Sequence, residues 1–272
     1  MRGGAALSIC ALLWLWAAES RAEGHDHVTE IDVDVAKLVN NPLAETVTLE
    51  AQPSFNFGVG PSSDTEYVFN LQANIPIPLG AGWDAVARTV LPLVNEPSGA
   101  PGEDYTFGLG DLQETVFVSP PSSEDFIWGF GPVLQLPTAT ATVTGSGKWA
   151  VGPTIAAVFN SGPWQVAGQV NDLWSFAGHR GRPALNLLLL QPVVNYSLSP
   201  EWFLTCGPSV TVDWKAGAGD RWTVPVGAGF GRIFTLGSRA WSLQTEAYWN
   251  VVHPADGPRW SLILTVQLLF PE

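Results

Sequence analysis

The chain has 272 residues and a formal net charge of −13, from 12 basic and 25 acidic side chains, a balance that speaks against nucleic acid as a partner. Only 14% of the residues are charged, beside 28 glycines and 22 prolines, where ordinary soluble domains carry about 25% charge. Such a deficit implies a surface much of which does not face water.

Arg2, the apolar run Ala5 to Ala18 and the small-residue pattern Ser20-Arg21-Ala22 describe a secretory leader, residues 1–22, cut after Ala22. The expected mature chain then carries 10 basic and 24 acidic residues, a net charge of −14. Cys10 leaves with the leader. Cys206 remains alone, which excludes a disulfide framework even in an oxidising compartment. His25-Asp26-His27 has the residue types of a metal site, but it stands three residues into the mature chain, where tails are commonly loose, and no metal is assigned to it. Residues 23–44 read as a periplasmic N-terminal segment in which "VAKLVNNPLA" predicts one short helix ending near Asn40-Asn41-Pro42.

From residue 45 to 272 the chain reads as strand and turn. No run after the leader approaches the ~18 to 20 apolar residues of a membrane helix; the candidate Leu185 to Leu190, broken by Asn186, is far too short. Twelve segments rich in Val, Trp, Phe, Leu and Thr are bounded by Gly, Pro, Asn or Ser: 46–57, 65–78, 83–94, 105–118, 126–137, 148–159, 164–174, 184–197, 202–213, 221–233, 241–251 and 259–270. Their period is two. In the last, Trp260, Leu262, Leu264, Val266, Leu268 and Phe270 share one face and Ser261, Thr265 and Gln267 the other. Segments 105–118 and 184–197 alternate poorly, and each predicts a bulge or a shifted boundary.

Eleven tryptophans survive cleavage, and most open or close a segment: Trp83, Trp149, Trp164, Trp202, Trp222, Trp241 and Trp260 at starts, Trp174, Trp214 and Trp249 at ends. Two rings of indoles at strand ends are the interfacial girdles of a transmembrane barrel. The odd-numbered connections are mostly longer than the even ones, as in outer-membrane barrels, where long external loops alternate with short periplasmic turns. These observations predict an all-β fold, a transmembrane antiparallel up-and-down barrel of about 12 strands in the cell outer membrane, with lipid and lipopolysaccharide as its surroundings.

"VTGSGKWAVGP", Val143 to Pro153, raises a nucleotide question. It supplies only the Gly-Lys pair of a phosphate loop: position 142 is Thr142, Trp149 follows Lys148, and Gly152-Pro153 prevents a helix. No nucleotide is expected. The glycines read as the flexible descent of the third external loop, with Lys148 at the level of lipid phosphate. In the fourth external loop His179-Arg180-Gly181-Arg182 concentrates scarce basic groups that could meet lipopolysaccharide or steer an anionic solute.

"LPTATATVTGSGKWAVGP", "GPW" at Gly162, "DLWSFAG" at Asp172, "LLLQPVVNY" at Leu188, "DRWTVPVGAGFGRIF" at Asp220 and "LTVQLLFPE" at the end together resemble the bacterial outer-membrane barrels of the "MetA pathway of phenol degradation" type, members of which are often labelled neuromedin U or transporter. The likeness runs from about Val35 to Phe270. It implies an outer-membrane barrel and uptake of small aromatic or other hydrophobic compounds, and it supplies no site residues.

No catalytic set, cofactor site or metal site is expected: the histidines lie in the tail and the loops, and Gly108-Leu109-Gly110 and Gly129-Phe130-Gly131 lack the third glycine and the helix of a dinucleotide site. The polar strand faces are the candidate site. Glu50, Gln52, Asn56, Asn70, Gln72, Asn74, Asp84, Arg88, Asp111, Gln113, Gln135, Gln165, Gln169, Asn171, Gln191, Asp213, Arg221, Gln244, Glu246, Asn250 and Gln267 are expected to line the lumen. An amide-rich lining with more acids than bases favours neutral or mildly cationic small solutes. The chain therefore reads as a passive channel or transporter without a chemical step; the alternative is a structural or surface-contact barrel whose lumen is plugged.

Overall fold

The computed structural model describes residues 37–97, 104–123 and 125–270. The leader, the His25-Asp26-His27 tail and most of the expected helix lie outside these residues. Of that helix only Lys37 and Leu38 are helical, leading into a turn; Asn41 Oδ1 accepts from the Leu43 amide at 2.9 Å, so the asparagine replaces a further helical turn with a side-chain-closed bend.

Fourteen strands follow: β1 (Val47–Val59), β2 (Asp64–Gly80), β3 (Trp83–Glu96), β4 (Thr106–Leu109), β5 (Leu112–Ser119), β6 (Phe126–Leu136), β7 (Lys148–Ser161), β8 (Trp164–Gly178), β9 (Asn186–Ser197), β10 (Trp202–Cys206), β11 (Val210–Asp213), β12 (Trp222–Leu236), β13 (Arg239–Val252) and β14 (Trp260–Phe270). They make twelve barrel staves. β4 and β5 both pair with β3, and β10 and β11 both lie between β9 and β12, so each couple is one stave with a break in it. All pairings are antiparallel, and β1 closes on β14 from Val47↔Phe270 to Phe57↔Trp260. Closure leaves no edge, which is what hydrocarbon demands of a sheet.

The breaks correct the expected irregularities. In 105–118 the interruption falls at Gly110-Asp111, as the poor alternation indicated. Segment 184–197 is continuous instead; its alternation is poor because Leu187 and Leu189 face inward, in step with Gln191, while Leu188 and Leu190 face out. The second break falls at Gly207-Pro208-Ser209, where proline has no amide to give the ladder. Gly207 donates its own amide to Tyr248 Oη at 2.7 Å.

One end of the barrel carries the described connections 60–63, 137–147, 179–185, 214–221 and 253–259 with residues 97 and 104–105, and the other 81–82, 162–163, 198–201 and 237–238 with residues 120–123 and 125. We call them the loop end and the turn end. β7 shows the wall most plainly, with Trp149, Val151, Pro153, Ile155 and Phe159 exposed and Ala150, Gly152, Thr154, Ala156, Val158 and Asn160 buried in strict alternation. Nine of the ten expected girdle residues, Trp83, Trp149, Trp164, Trp174, Trp202, Trp214, Trp222, Trp249 and Trp260, are exposed, and Trp128 joins them. Trp241 departs: it is half-buried and its Nε1 is enclosed without a partner. The outer face is not uniformly apolar, since Glu114, between the cavity-facing Gln113 and Thr115, turns outward and accepts from Thr89 Oγ1 at 2.6 Å.

Close approach between staves makes Gly152 obligatory, because a Cβ there would lie 1.6 Å from the Asp172 carbonyl oxygen. Gly152→Val should therefore cost about 1 to 3 kcal/mol and lower the temperature at which the folded band in a gel converts to the unfolded one. Gly168→Ala, with nothing within 4 Å of its Cβ, should leave that temperature unchanged.

Candidate functional site

The interior has three tiers. At the turn end the inner wall mixes polar side chains such as Gln165 and Gln244 with apolar ones that were not among the expected lining. Val39 packs with Phe203, Ile233, Ala240 and Leu269, and Leu43 with Val86, Phe117 and Ala156. Segment 37–46 thus lies inside the barrel mouth. Gly129 makes room for it, a Cβ there standing 3.0 Å from Leu43 Cδ2. Burying Leu43 or Val39 contributes on the order of 1.5 to 3 kcal/mol each. Hydrogen bonds fix the register: Asn40 and Gln244 exchange both amide contacts at 2.9 and 3.0 Å, and Gln165 Nε2 donates to the Lys37 carbonyl at 2.6 Å.

Above this plug lies a polar belt around a cavity of about 240 Å³. Of the expected lining residues, Glu50, Gln52, Asn70, Gln72, Asn74, Arg88, Gln113, Gln169, Asn171, Gln191, Glu246 and Gln267 border it. Its centre is a chain of charge-assisted bonds. Arg88 on β3 donates from Nη1 to Gln169 Oε1 on β8 at 2.8 Å and from Nη2 to Gln72 Oε1 at 2.7 Å, and Gln72 Nε2 donates to Glu50 Oε1 at 2.6 Å. Three staves, the broken β4/β5, β6 and β7, separate β3 from β8 along the wall, so the Arg88–Gln169 bond is a crossbar over the lumen. On the opposite wall Tyr248 Oη donates to Glu246 Oε1 at 2.6 Å while receiving the Gly207 amide, so the glutamate holds the mend in the second broken stave.

The loop end forms the third tier. Asp111, at the first break, accepts from the Ser146 amide and Oγ at 2.6 Å each, from the Ala139 amide at 3.3 Å and from Gln135 Nε2 at 3.3 Å. Arg182 Nε donates to the Ser146 carbonyl at 3.1 Å, and its Nη2 to the Gly145 carbonyl. Lys148 Nζ donates to the His179 carbonyl at 2.9 Å. The Gly-Ser-Gly-Lys stretch is thus a knot over Asp111 and not a flexible descent, and Lys148 and Arg182 tie loop to loop instead of reaching out alone toward lipid phosphate. Beneath the knot Leu173 packs on Val133 and Ala150.

The other expected lining residues serve these tiers without bordering the cavity. Gln165 and Gln244 hold the plug and Asp111 and Gln135 the knot, as above. Asn56 donates to Glu66 at 2.6 Å and Asn250 to the Pro258 carbonyl at 2.7 Å near the loop end. Asp213 accepts from the Lys215 amide and Arg221 donates to the Ala216 carbonyl within loop 214–221. Asp84 is half-buried at the turn end of β3. The expected lining omitted Thr115, Thr205 and Thr265, which border the cavity together with Val90, Leu189, Val193 and Ile263; for Thr115 and Thr265 the period-two position beside Gln113 and Gln267 was the available signal.

No protein-family model matches the sequence, and no curated protein does. Solved structures match it in fold. An outer membrane channel from Pseudomonas putida F1 is 18% identical with a TM-score of 0.61, covering 90% of this chain and 100% of that one. The NanC porin is 9% identical with a TM-score of 0.52, covering 82% of this chain and 100% of that one. The fold is that of outer-membrane channels and porins, and this barrel belongs in the cell outer membrane.

Asp111→Ala should release the knot, since it leaves the Ser146 and Ala139 amides without their acceptor. Trypsin should then cut after Lys148 at a rate about tenfold or more above wild type, read by mass spectrometry of the digested barrel. Equal resistance of the two proteins would show that the loop is held by other contacts.

Proposed function

We propose that the barrel is a passive outer-membrane channel for small solutes, and that the polar belt is the narrow part of its path. The observation that carries this reading is the Glu50–Gln72–Arg88–Gln169 chain across a solvent-sized lumen: polar side chains at membrane depth are costly unless they face water or one another. The fold likeness to an outer membrane channel and a porin supports it. No chemical step is assigned. The likeness to the "MetA pathway" barrels, uptake of aromatic or hydrophobic solutes, and contact of the outer loops with lipopolysaccharide belong to the same reading as its finer parts.

A second reading, a structural barrel with a plugged lumen, is favoured by Val39 and Leu43 in the turn-end mouth. Planar-bilayer recording separates the two. A channel should conduct, with cations favoured over anions because Glu50 and Glu246 outnumber Arg88 in the belt, and Val39→Asp with Leu43→Asp should raise its open-state current by loosening the plug. Silence of both wild type and the double variant would leave the structural barrel.

A further inference from the structure

The geometry points to segment 37–46 as a gate that leaves and re-enters the turn-end mouth, wetting the inner wall it covers each time it withdraws. The inference rests on the reading of the lumen as a solute path. Four side-chain atoms of that wall are sealed from solvent and make no hydrogen bond among the described residues: Ser242 Oγ, Thr205 Oγ1, Gln267 Oε1 and Asn195 Oδ1. Their places put them around the plug. Ser242 faces inward between Ala240, which packs with Val39, and Gln244, which bonds to Asn40. Thr205 and Gln267 each stand one inward position from a residue packed with Val39, namely Phe203 and Leu269. Asn195 donates to the same Gln165 that holds the Lys37 carbonyl.

A sealed oxygen without a donor costs free energy that a wet one does not. With the segment seated these four oxygens are cut off from water and gain no partner in exchange; with it withdrawn they are hydrated. Val39 and Leu43 pull the other way, since they bury apolar surface only in the seated state. Opposed contributions over one wall are the condition for an element with two populated arrangements. The polar ties are few: Gln244 and Gln165 supply three hydrogen bonds to the segment. Its far end is anchored, because Val47 opens β1 and pairs with Phe270, which leaves exposed Glu45 and Thr46 as the hinge. The loop knot at the other end lacks this conflict, as Asp111, Gln135 and Ser146 bond one another.

Maleimide labelling of a single introduced cysteine tests the gate in the folded barrel, with Cys10→Ser and Cys206→Ser removing the native thiols. Ser242 has no exposed surface while the segment is seated, so Ser242→Cys should label at a rate set by the fraction of time it is withdrawn. Asn40→Ala removes two of the three ties and should raise that rate about tenfold. Thr205→Val should lower it about fivefold, because it deletes a hydroxyl that lacks a partner only in the seated state; a permanent plug predicts no such slowing. Ala240→Cys, at the Val39 contact, is a second reporter that should move with Ser242→Cys, while Val133→Cys, buried beneath the loop knot, should keep one rate in every background. Both turn-end cysteines unlabelled throughout, a Thr205→Val rate at or above wild type, or Val133→Cys following the others would overturn the gate. Labelling needs no current. A rate that answers to Asn40→Ala in a barrel silent in bilayers keeps the gate and removes the solute path, whereas a conducting barrel whose turn-end cysteines stay unlabelled keeps the path and removes the gate.

Discussion

Closure of the hydrogen-bond ladder between β1 and β14 is the constraint from which the rest of the barrel follows. In hydrocarbon an unpaired backbone group costs several kcal/mol, so twelve staves must meet with none left over. Even the two broken staves obey. At Gly110 the amide still reaches the Pro92 carbonyl at 2.8 Å and loop 137–147 folds back on the gap, with the Thr140 amide on the Leu109 carbonyl at 3.1 Å. At Gly207 a tyrosine hydroxyl takes the place of the missing stave partner. Both repairs come from inside or from the loop end, where polar groups have somewhere to go.

The same rule does not govern the interior, and the three tiers show what does. Where the chain's own segment covers the inner wall, Val86, Phe117 and Ile233 pack around Leu43 and Val39 while Gln165 and Gln244 bond the segment's polar groups. Where nothing covers it, the wall carries amides and charges that bond across neighbouring staves, as Gln72 Nε2 does to Glu50 Oε1 at 2.6 Å. Polarity inside the barrel thus records which groups face packed apolar chain and which face solvent or a polar partner.

This explains what could be read from the sequence. The outward period of two runs along most of the staves, so Trp260 to Phe270 or Trp149 to Phe159 announced the wall. The lining was legible only where it is polar. Phe117 reads as any strand residue until Leu43 is known to lie against it, and "VAKLVNNPLA" carries the pattern of a short helix as well as that of a plug. Loop 137–147 was misread for a similar reason: glycines and serine signal freedom locally, and the restraint comes from Asp111, at least 28 residues away in the chain. Gly207-Pro208 stood in plain view inside a strand segment, and a proline there is reason enough to expect a break.

Arg88 joins the wall to the lumen. A guanidinium at membrane depth needs water, an opposite charge or a full set of acceptors. Here two donors rest on neutral amide oxygens, and the nearest carboxylate in the chain of bonds, Glu50, is reached through Gln72. That arrangement keeps the cation in place without quenching it in a direct ion pair, since the side chain is pinned from both sides of the lumen. A direct Arg88–Glu50 pair along the wall would have left the middle of the barrel open and locally neutral. The crossbar instead places a charged, oriented donor across the lumen.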